Sequence, residues 1–427
     1  MAEREDFLSK RLDNGLTVIA QRVPGSRFVG TAIAVKYGSR YETDKTNGAA
    51  HFLEHMIFKG TKKRTYKDIW DGFQDIGANN NAYTDMEETA FYAETLKEDA
   101  DKALDILADI VQNSVLDAKE FKTEKKVILE EVRMSIDDDQ RLAYDTLMKK
   151  MYGGLPMARS VGGTLKSVSG LTRNDLKKIY DEEYTPKNMV VAMAGDLDPD
   201  EMYSKMENAF KDLKKGSKTP ATSRKNGNVA RAKEPNGETY FVKKPDSTQC
   251  HVLIGYKTKG DLHKDSPKLA VLEQIMSAKL FDEVREKRGM AYTAYSACLS
   301  GSDYGFAGGY AATKPENVNT VKDVMLEAFE KANENITPEE LKRAKASATF
   351  SAAKKNESPM ETAEQLAVYK TVLGDETLAK TKFDRINSVT LSDVKTAAKT
   401  YFKPDKYCMV VVGPSCNVES YKPLKVK

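Results

Sequence analysis

Long apolar runs, cysteine pairs, an excess of charge of either sign and more than a handful of histidines are all missing from this 427-residue sequence. The longest apolar stretches, such as residues 189–194 and 408–412, are strand-sized and far short of the ~20 residues that a membrane helix needs. No membrane association is expected. The 67 Lys+Arg against 64 Asp+Glu leave a net charge of +3, so no single-sign field is available to hold a nucleic acid. The four cysteines (Cys250, Cys298, Cys408, Cys416) show no CxxC spacing, which argues against a disulfide framework or a zinc knuckle and leaves reduced thiols as the expectation. Gly30, Gly38 and Gly60 stand isolated, as turn glycines do. Without a glycine-rich phosphate loop, nucleotide binding is disfavoured. The polar, acidic start at residues 1–6 has neither an apolar signal core nor Arg/Ser-rich transit character, and the expected setting is cytoplasmic, for the chain as it stands or as a trimmed mature form.

What the sequence does contain is a repeat. Residues 171–195 align without gaps on residues 389–413, and Thr172/Thr390, Asp175/Asp393, Lys177/Lys395, Pro186/Pro404 and Gly195/Gly413 coincide at a constant offset of 218. Each copy reads as a Thr N-cap, an amphipathic helix, a Pro-containing turn and a buried strand ended by Gly. Fixed-offset self-similarity of this kind marks a duplication. Between the copies, residues 214–237 are rich in Lys, Ser, Thr, Pro, Gly and Asn and read as a linker, which sets expected domains of 1–213 and 238–427. Alternating segments (16–21, 30–37, 89–96; then 240–242, 249–256, 304–311) mix with helical periods at 98–115 and 318–334. The fold class is therefore α+β, with two related domains and no Rossmann-type alternation.

Two of the four histidines, His51 and His55, stand four apart in Gly48-Ala-Ala-His51-Phe-Leu-Glu54-His55. On a helix that spacing puts both imidazoles on one face, where they can share a metal. Glu54 lies where it can take a proton from a bound water, in the reversed order H-x-x-E-H of the inverzincins. Composition alone yields such a string in about 0.003 chains of this length. Catalytic zinc takes three protein ligands and keeps one position open. The helix expected over residues 117–136 offers Glu124, Glu130 and Glu131, of which Glu124 and Glu131 share a face. His251 and His263 have no metal-spaced partner and read as ordinary surface or strand histidines.

Further segments extend the pattern: Leu12-Asp-Asn-Gly-Leu-Thr-Val18, Gly38-Ser-Arg-Tyr-Glu-Thr43, residues 47–61, Asn81-Ala-Tyr-Thr84 with Glu88-Thr89, residues 124–131 and Tyr184-Thr-Pro-Lys-Asn-Met189. Together they resemble the pitrilysin (insulinase) zinc peptidases, in particular the short two-domain type that includes the mitochondrial processing peptidase beta subunit and its bacterial and archaeal relatives. The resemblance implies two homologous sandwiches of antiparallel sheet and helices, a fold shared with the metalloenzyme LuxS, and a zinc-dependent endopeptidase acting on short or unfolded peptides. It makes His51, His55 and Glu131 the ligands of one Zn2+ per chain, Glu54 the general base and Glu124 the carboxylate that orients a ligand histidine. Asn81, Ala82 and Tyr83 would form a strand that binds peptide by β-augmentation.

The second half contains no H-x-x-E-H and instead has Leu280-Phe-Asp-Glu-Val-Arg285 continuing to Tyr292. This segment resembles the family's Arg/Tyr element, which implies that Arg285 and Tyr292 contact the substrate or the developing oxyanion; the other reading pairs Arg285 with an acid and puts Tyr292 in a core. The resemblance further implies a homodimeric clamshell in which the partner's C-terminal domain completes each site. Two other readings are a non-catalytic assembly subunit, a type that usually loses motif residues, and a catalytic subunit that needs an unlike partner.

Overall fold

The computed structural model describes residues 6–214, 229–415 and 421–424. Most of the linker expected at 214–237, and Cys416, lie outside the described residues. The first half of the chain runs β1 (Phe7–Arg11), β2 (Thr17–Arg22), β3 (Phe28–Val35), α1 (Ala49–Ile57), α2 (Tyr66–Gln74), β4 (Asn79–Thr84), β5 (Thr89–Leu96), α3 (Ala100–Asn113), α4 (Ala118–Asp137), α5 (Asp139–Tyr152), α6 (Leu165–Gly170), α7 (Arg173–Glu183), β6 (Met189–Gly195) and α8 (Pro199–Phe210). The second runs β7 (Glu238–Lys243), β8 (Cys250–Thr258), α9 (Ser266–Leu280), a π-helical turn (Phe281–Glu286), β9 (Ala291–Ser300), β10 (Gly305–Thr313), α10 (Val318–Glu330), α11 (Ala332–Asn335), α12 (Pro338–Glu357), α13 (Pro359–Leu373), α14 (Thr377–Lys380), α15 (Lys382–Asn387), α16 (Leu391–Tyr401), β11 (Tyr407–Gly413) and β12 (Tyr421–Leu424). Among the described residues, no helix is long and apolar enough to cross a membrane.

The repeat is visible strand by strand. One sheet has the order β1-β2-β6-β3-β5-β4 and the other β12-β7-β11-β8-β10-β9. In each, the strand that ends the repeated segment (β6 or β11) runs parallel to one neighbour and antiparallel to the other. β6 is buried at all seven positions, and a strand covered on both faces reads as a continuous apolar run, which is how both copies look in the sequence. The helices before these strands start alike. Thr172 and Thr390 each accept the backbone N–H three residues on, while Asp175 and Asp393 accept the threonine N–H in return, a reciprocal capping box. The outermost strands differ: β1 pairs antiparallel with β2, whereas β12 comes from the far end of the chain and pairs parallel with β7.

The chain forms two compact units that interleave in sequence: residues 6–132, 159–214 and 353–380 in one, and 133–158, 229–352 and 381–415 with 421–424 in the other. Each unit thus holds a helix from the other half of the repeat. In the first, α13 covers the sheet through Met360, Ala363, Leu366 and Ala367, packed on Ile19, Ala32, Ala34, Val190 and Ala192. In the second, α5 lies on β8, where Leu147 and Met151 fill the space above Gly255 and the Tyr152 hydroxyl donates to the Gly305 carbonyl at 2.6 Å. Gly30, expected in a turn, sits inside β3. A Cβ there would lie 2.5 Å from the Met360 backbone, so its lack of a side chain is what lets the start of α13 approach the sheet.

Candidate metal centre

The residues expected at the metal sit on two helices of the first unit. α1 begins at Gly48, whose φ of +94° needs glycine, and Gly48 has no side chain to cap the helix. The buried Glu42 carboxylate serves instead, accepting the Gly48 N–H at 2.8 Å, the Ala50 N–H at 2.7 Å and the Asn47 side-chain amide at 2.9 Å. Burial pushes the Glu42 carboxyl up to about 7, and these donors together with the Arg159 charge hold it from rising further. On its apolar side α1 is locked to α4 by Phe52 stacked on Phe121, ring centroids 4.8 Å apart, and Ile128 and Val132 of α4 are buried as well.

That packing brings His51, His55 and Glu131 together. Their ligand atoms all lie within 4.8 Å of one another. Nε2 of His51 and of His55 are 3.7 and 3.5 Å from Glu131 Oε2. A tetrahedral ion with bonds of about 2.0–2.1 Å needs donor separations of about 3.3 Å, so two of the three edges are already near that value. The Glu131 side chain is 40% exposed while the imidazoles are about half that, which keeps one side of the cluster open to solvent. Two imidazoles, one carboxylate and an open side form the donor set of a catalytic zinc site, and a closed structural site would have four protein donors. Among the described residues no other metal-capable group of three forms.

Around the cluster, Glu124 Oε2 lies 3.1 Å from His55 Nδ1 and its other oxygen is 2.8 Å from Lys59 Nζ. A carboxylate on the far ring nitrogen sets the tautomer that leaves Nε2 free to ligate. Burial lowers the basicity of His55, but the Glu124 hydrogen bond and the charges of Glu131, Glu54 and Glu124 outweigh it and raise the imidazole above its ordinary value. Glu54 accepts a 2.6 Å hydrogen bond from the Thr84 hydroxyl of β4. Burial pushes its carboxyl upward, against the pull of Thr84 and of His55, and the Glu131 charge adds to the rise. A raised carboxylate beside a metal suits proton transfer.

The remaining expected residues lie on β4 and in the second unit. β4 ends its sheet. The Asp85 N–H donates to the Glu88 carbonyl at the hairpin, so alternation turns the Ala82 and Thr84 backbone groups toward the unpaired edge. Asn81 Oδ1 accepts the Ala82 N–H at 2.9 Å, and the Tyr83 hydroxyl donates to Glu364 of α13 at 3.0 Å. Arg285 and Tyr292 belong to the second unit. The Arg285 guanidinium lies over the rings of Phe281 and Tyr292, 4.7 and 4.9 Å from their centroids, and its Nε is 3.6 Å from Glu286 Oε1; Tyr292 is 80% exposed, so of the other reading the acid partner of Arg285 is present and the core placement of Tyr292 is incorrect. His251 is a strand residue bonded to the Tyr310 hydroxyl. Thr84, Lys59 and Glu42 were not singled out from sequence. All three fall inside segments that carried the resemblance; Thr84 and Lys59 bond to residues 30 and 65 positions away, whereas the partners of Glu42 lie within eight residues of it.

Two family models match the chain: insulinase (peptidase family M16) over residues 17–165 and the M16 inactive domain over residues 170–348. An uncharacterized zinc protease of Rickettsia felis is 35% identical over 347 residues, spanning 80% of this chain and 82% of that protein. The chain belongs to the M16 family of zinc proteases. Within M16, the uncharacterized zinc protease YmxG of Bacillus subtilis is 30% identical over 413 residues, 95% of this chain and 98% of that one. The crystal structure of a protease from Helicobacter pylori superposes with a TM-score of 0.88 at 25% identity, covering 96% of this chain and 99% of that chain. The chain is of the two-domain M16 type related to processing peptidases. The order of the two matched domains agrees with the placement of H-x-x-E-H in the first half alone.

Proposed function

We propose that this M16 chain is a zinc metalloendopeptidase that hydrolyses short or unfolded peptides. The observation that carries the reading is the convergence of His51, His55 and Glu131 within 4.8 Å, with Glu54 held beside them by Thr84. Zinc held by those three residues would supply a Lewis acid and lower the pKa of a water toward neutrality. Glu54 takes the proton of the attacking water and delivers it to the leaving amine. Glu124 keeps His55 oriented, and Lys59 keeps Glu124 in place. Arg285, steadied by two rings, and Tyr292 offer donors for the charge that develops on the scissile carbonyl.

The unpaired edge of β4 is the proposed peptide cradle. An extended substrate adds there as a strand, bonded through its backbone, which suits a peptidase of broad sequence tolerance. Asn81 Oδ1 on the Ala82 N–H occupies the place that an incoming carbonyl takes, so Asn81 gives way when substrate pairs. The family resemblance supports a homodimer in which Arg285 and Tyr292 of one copy face the metal of the other.

Cleavage of a quenched unfolded peptide tests the activity. The expected result is turnover that a chelator abolishes and stoichiometric zinc restores. Turnover that a chelator leaves intact would overturn the proposal.

A further inference from the structure

Metal ligands on a helix are only as well placed as the helix itself, and His51 is the third residue of α1. The first turn of any helix has backbone N–H groups without intrahelical partners and frays most readily. Helices usually close that turn with a side chain from the N-cap residue. Here the N-cap is Gly48, which makes no side-chain cap and has no room for one: a Cβ would come within 2.9 Å of the Gly162 carbonyl and 3.0 Å of Val168. The cap is imported from six residues upstream. Both Glu42 oxygens are used, Oε1 by the Ala50 N–H and Oε2 by the Gly48 N–H and the Asn47 amide. Glu42 itself is 4% exposed. Asn47 in turn donates to the Ser160 carbonyl at 2.8 Å, which ties the cap to the chain that precedes α6.

From this arrangement we infer that Glu42 is a positioning residue for the metal centre: by closing the first turn of α1 it fixes the His51 imidazole at the spacing from His55 and Glu131 that binds the ion. The inference rests on the reading of these three residues as metal ligands. The effect is directional along the helix. His55 lies a turn further on and is held independently by Glu124, whereas at the start of the helix the Gly48 and Ala50 N–H groups both donate to Glu42 and the Ala49 N–H between them donates to the Thr46 carbonyl at 3.0 Å. A negative group at a helix N-terminus also interacts favourably with the helix dipole.

Glu42→Gln keeps the shape and removes the second acceptor, so whichever way the amide is turned its NH2 meets an N–H donor. Zinc affinity, measured by chelator competition on metal-free protein, should fall about tenfold or more, the size typical of losing a group that orients a metal ligand. Amide hydrogen exchange in the metal-free protein should quicken at Ala50–Phe52 and stay unchanged in α4 and β3. A zinc affinity within about twofold of wild type, or exchange that quickens uniformly across the unit, would overturn the inference. If Glu42→Gln does not fold, Glu42→Asp, which keeps the charge but not the reach, is judged by the same two readings. A wild-type chain that takes up no zinc would instead remove the metal-site reading on which the inference stands.

Discussion

The Thr84 hydroxyl, 2.6 Å from a Glu54 oxygen, connects the strand expected to bind peptide with the base expected to cut it. Burial raises the Glu54 carboxyl and the Thr84 hydrogen bond opposes the rise. Thr84→Val should therefore move the acid limb of the kcat/KM profile to higher pH and lower kcat by about tenfold, the size expected when a hydrogen bond to a charged group is lost, while zinc content stays at one per chain; steady-state kinetics with metal analysis checks both. His51, Glu54 and His55 were legible in the sequence because an i, i+4 pair on a helix is a local relation. Glu131 was not separable from Glu124 by spacing alone, since both face the same way on α4. Which carboxylate meets Nε2 and which meets Nδ1 depends on how α4 packs against α1, where Phe121 stacks on Phe52.

Elements show the same division between local and distant causes. Both Thr N-caps, Thr172 and Thr390, were readable because cap and helix are neighbours in sequence, and the structure adds the reciprocal bonds to Asp175 and Asp393. In the second copy, the Thr390 hydrogen bond and the Lys268 charge hold the Asp393 carboxyl down at about 2. A depressed carboxylate contributes stability above its ordinary pKa and loses it as pH falls toward the depressed value. Asp393→Asn should thus cost about 1 kcal/mol near neutral pH, and the gap in melting temperature from wild type should narrow as pH is lowered from about 4 toward about 2. The destinations of α5 and α13 were not legible. An amphipathic pattern says that a face is buried, not which sheet buries it. Gly30 was misread for that reason, since its neighbour is Met360 from the other half of the repeat. Gly30→Ala should destabilise by about 1–3 kcal/mol through overpacking, read by chemical denaturation; a change below about 0.5 kcal/mol would contradict the close approach of α13.

At the scale of the whole molecule, duplication has given two sheets whose strand order matches except at one outer strand and divided their equipment. The His51/His55/Glu131 cluster lies in the first unit and the Arg285/Tyr292 pair in the second. If a homodimer joins one copy's metal to the other copy's arginine, Glu54→Gln and Arg285→Ala chains are each inactive alone. Random mixing then restores about a quarter of wild-type turnover, through mixed dimers with one intact site. No recovery on mixing would place both elements of a site on one chain. The central claim, that His51, His55 and Glu131 hold zinc while Glu54 moves the proton, is tested most directly by measuring zinc content and peptide cleavage together on wild type and Glu54→Gln. One zinc per chain in both proteins, with cleavage about 1,000-fold or more lower in the variant, is the predicted result; a Glu54→Gln chain that retains zinc and cleaves at the wild-type rate would contradict it.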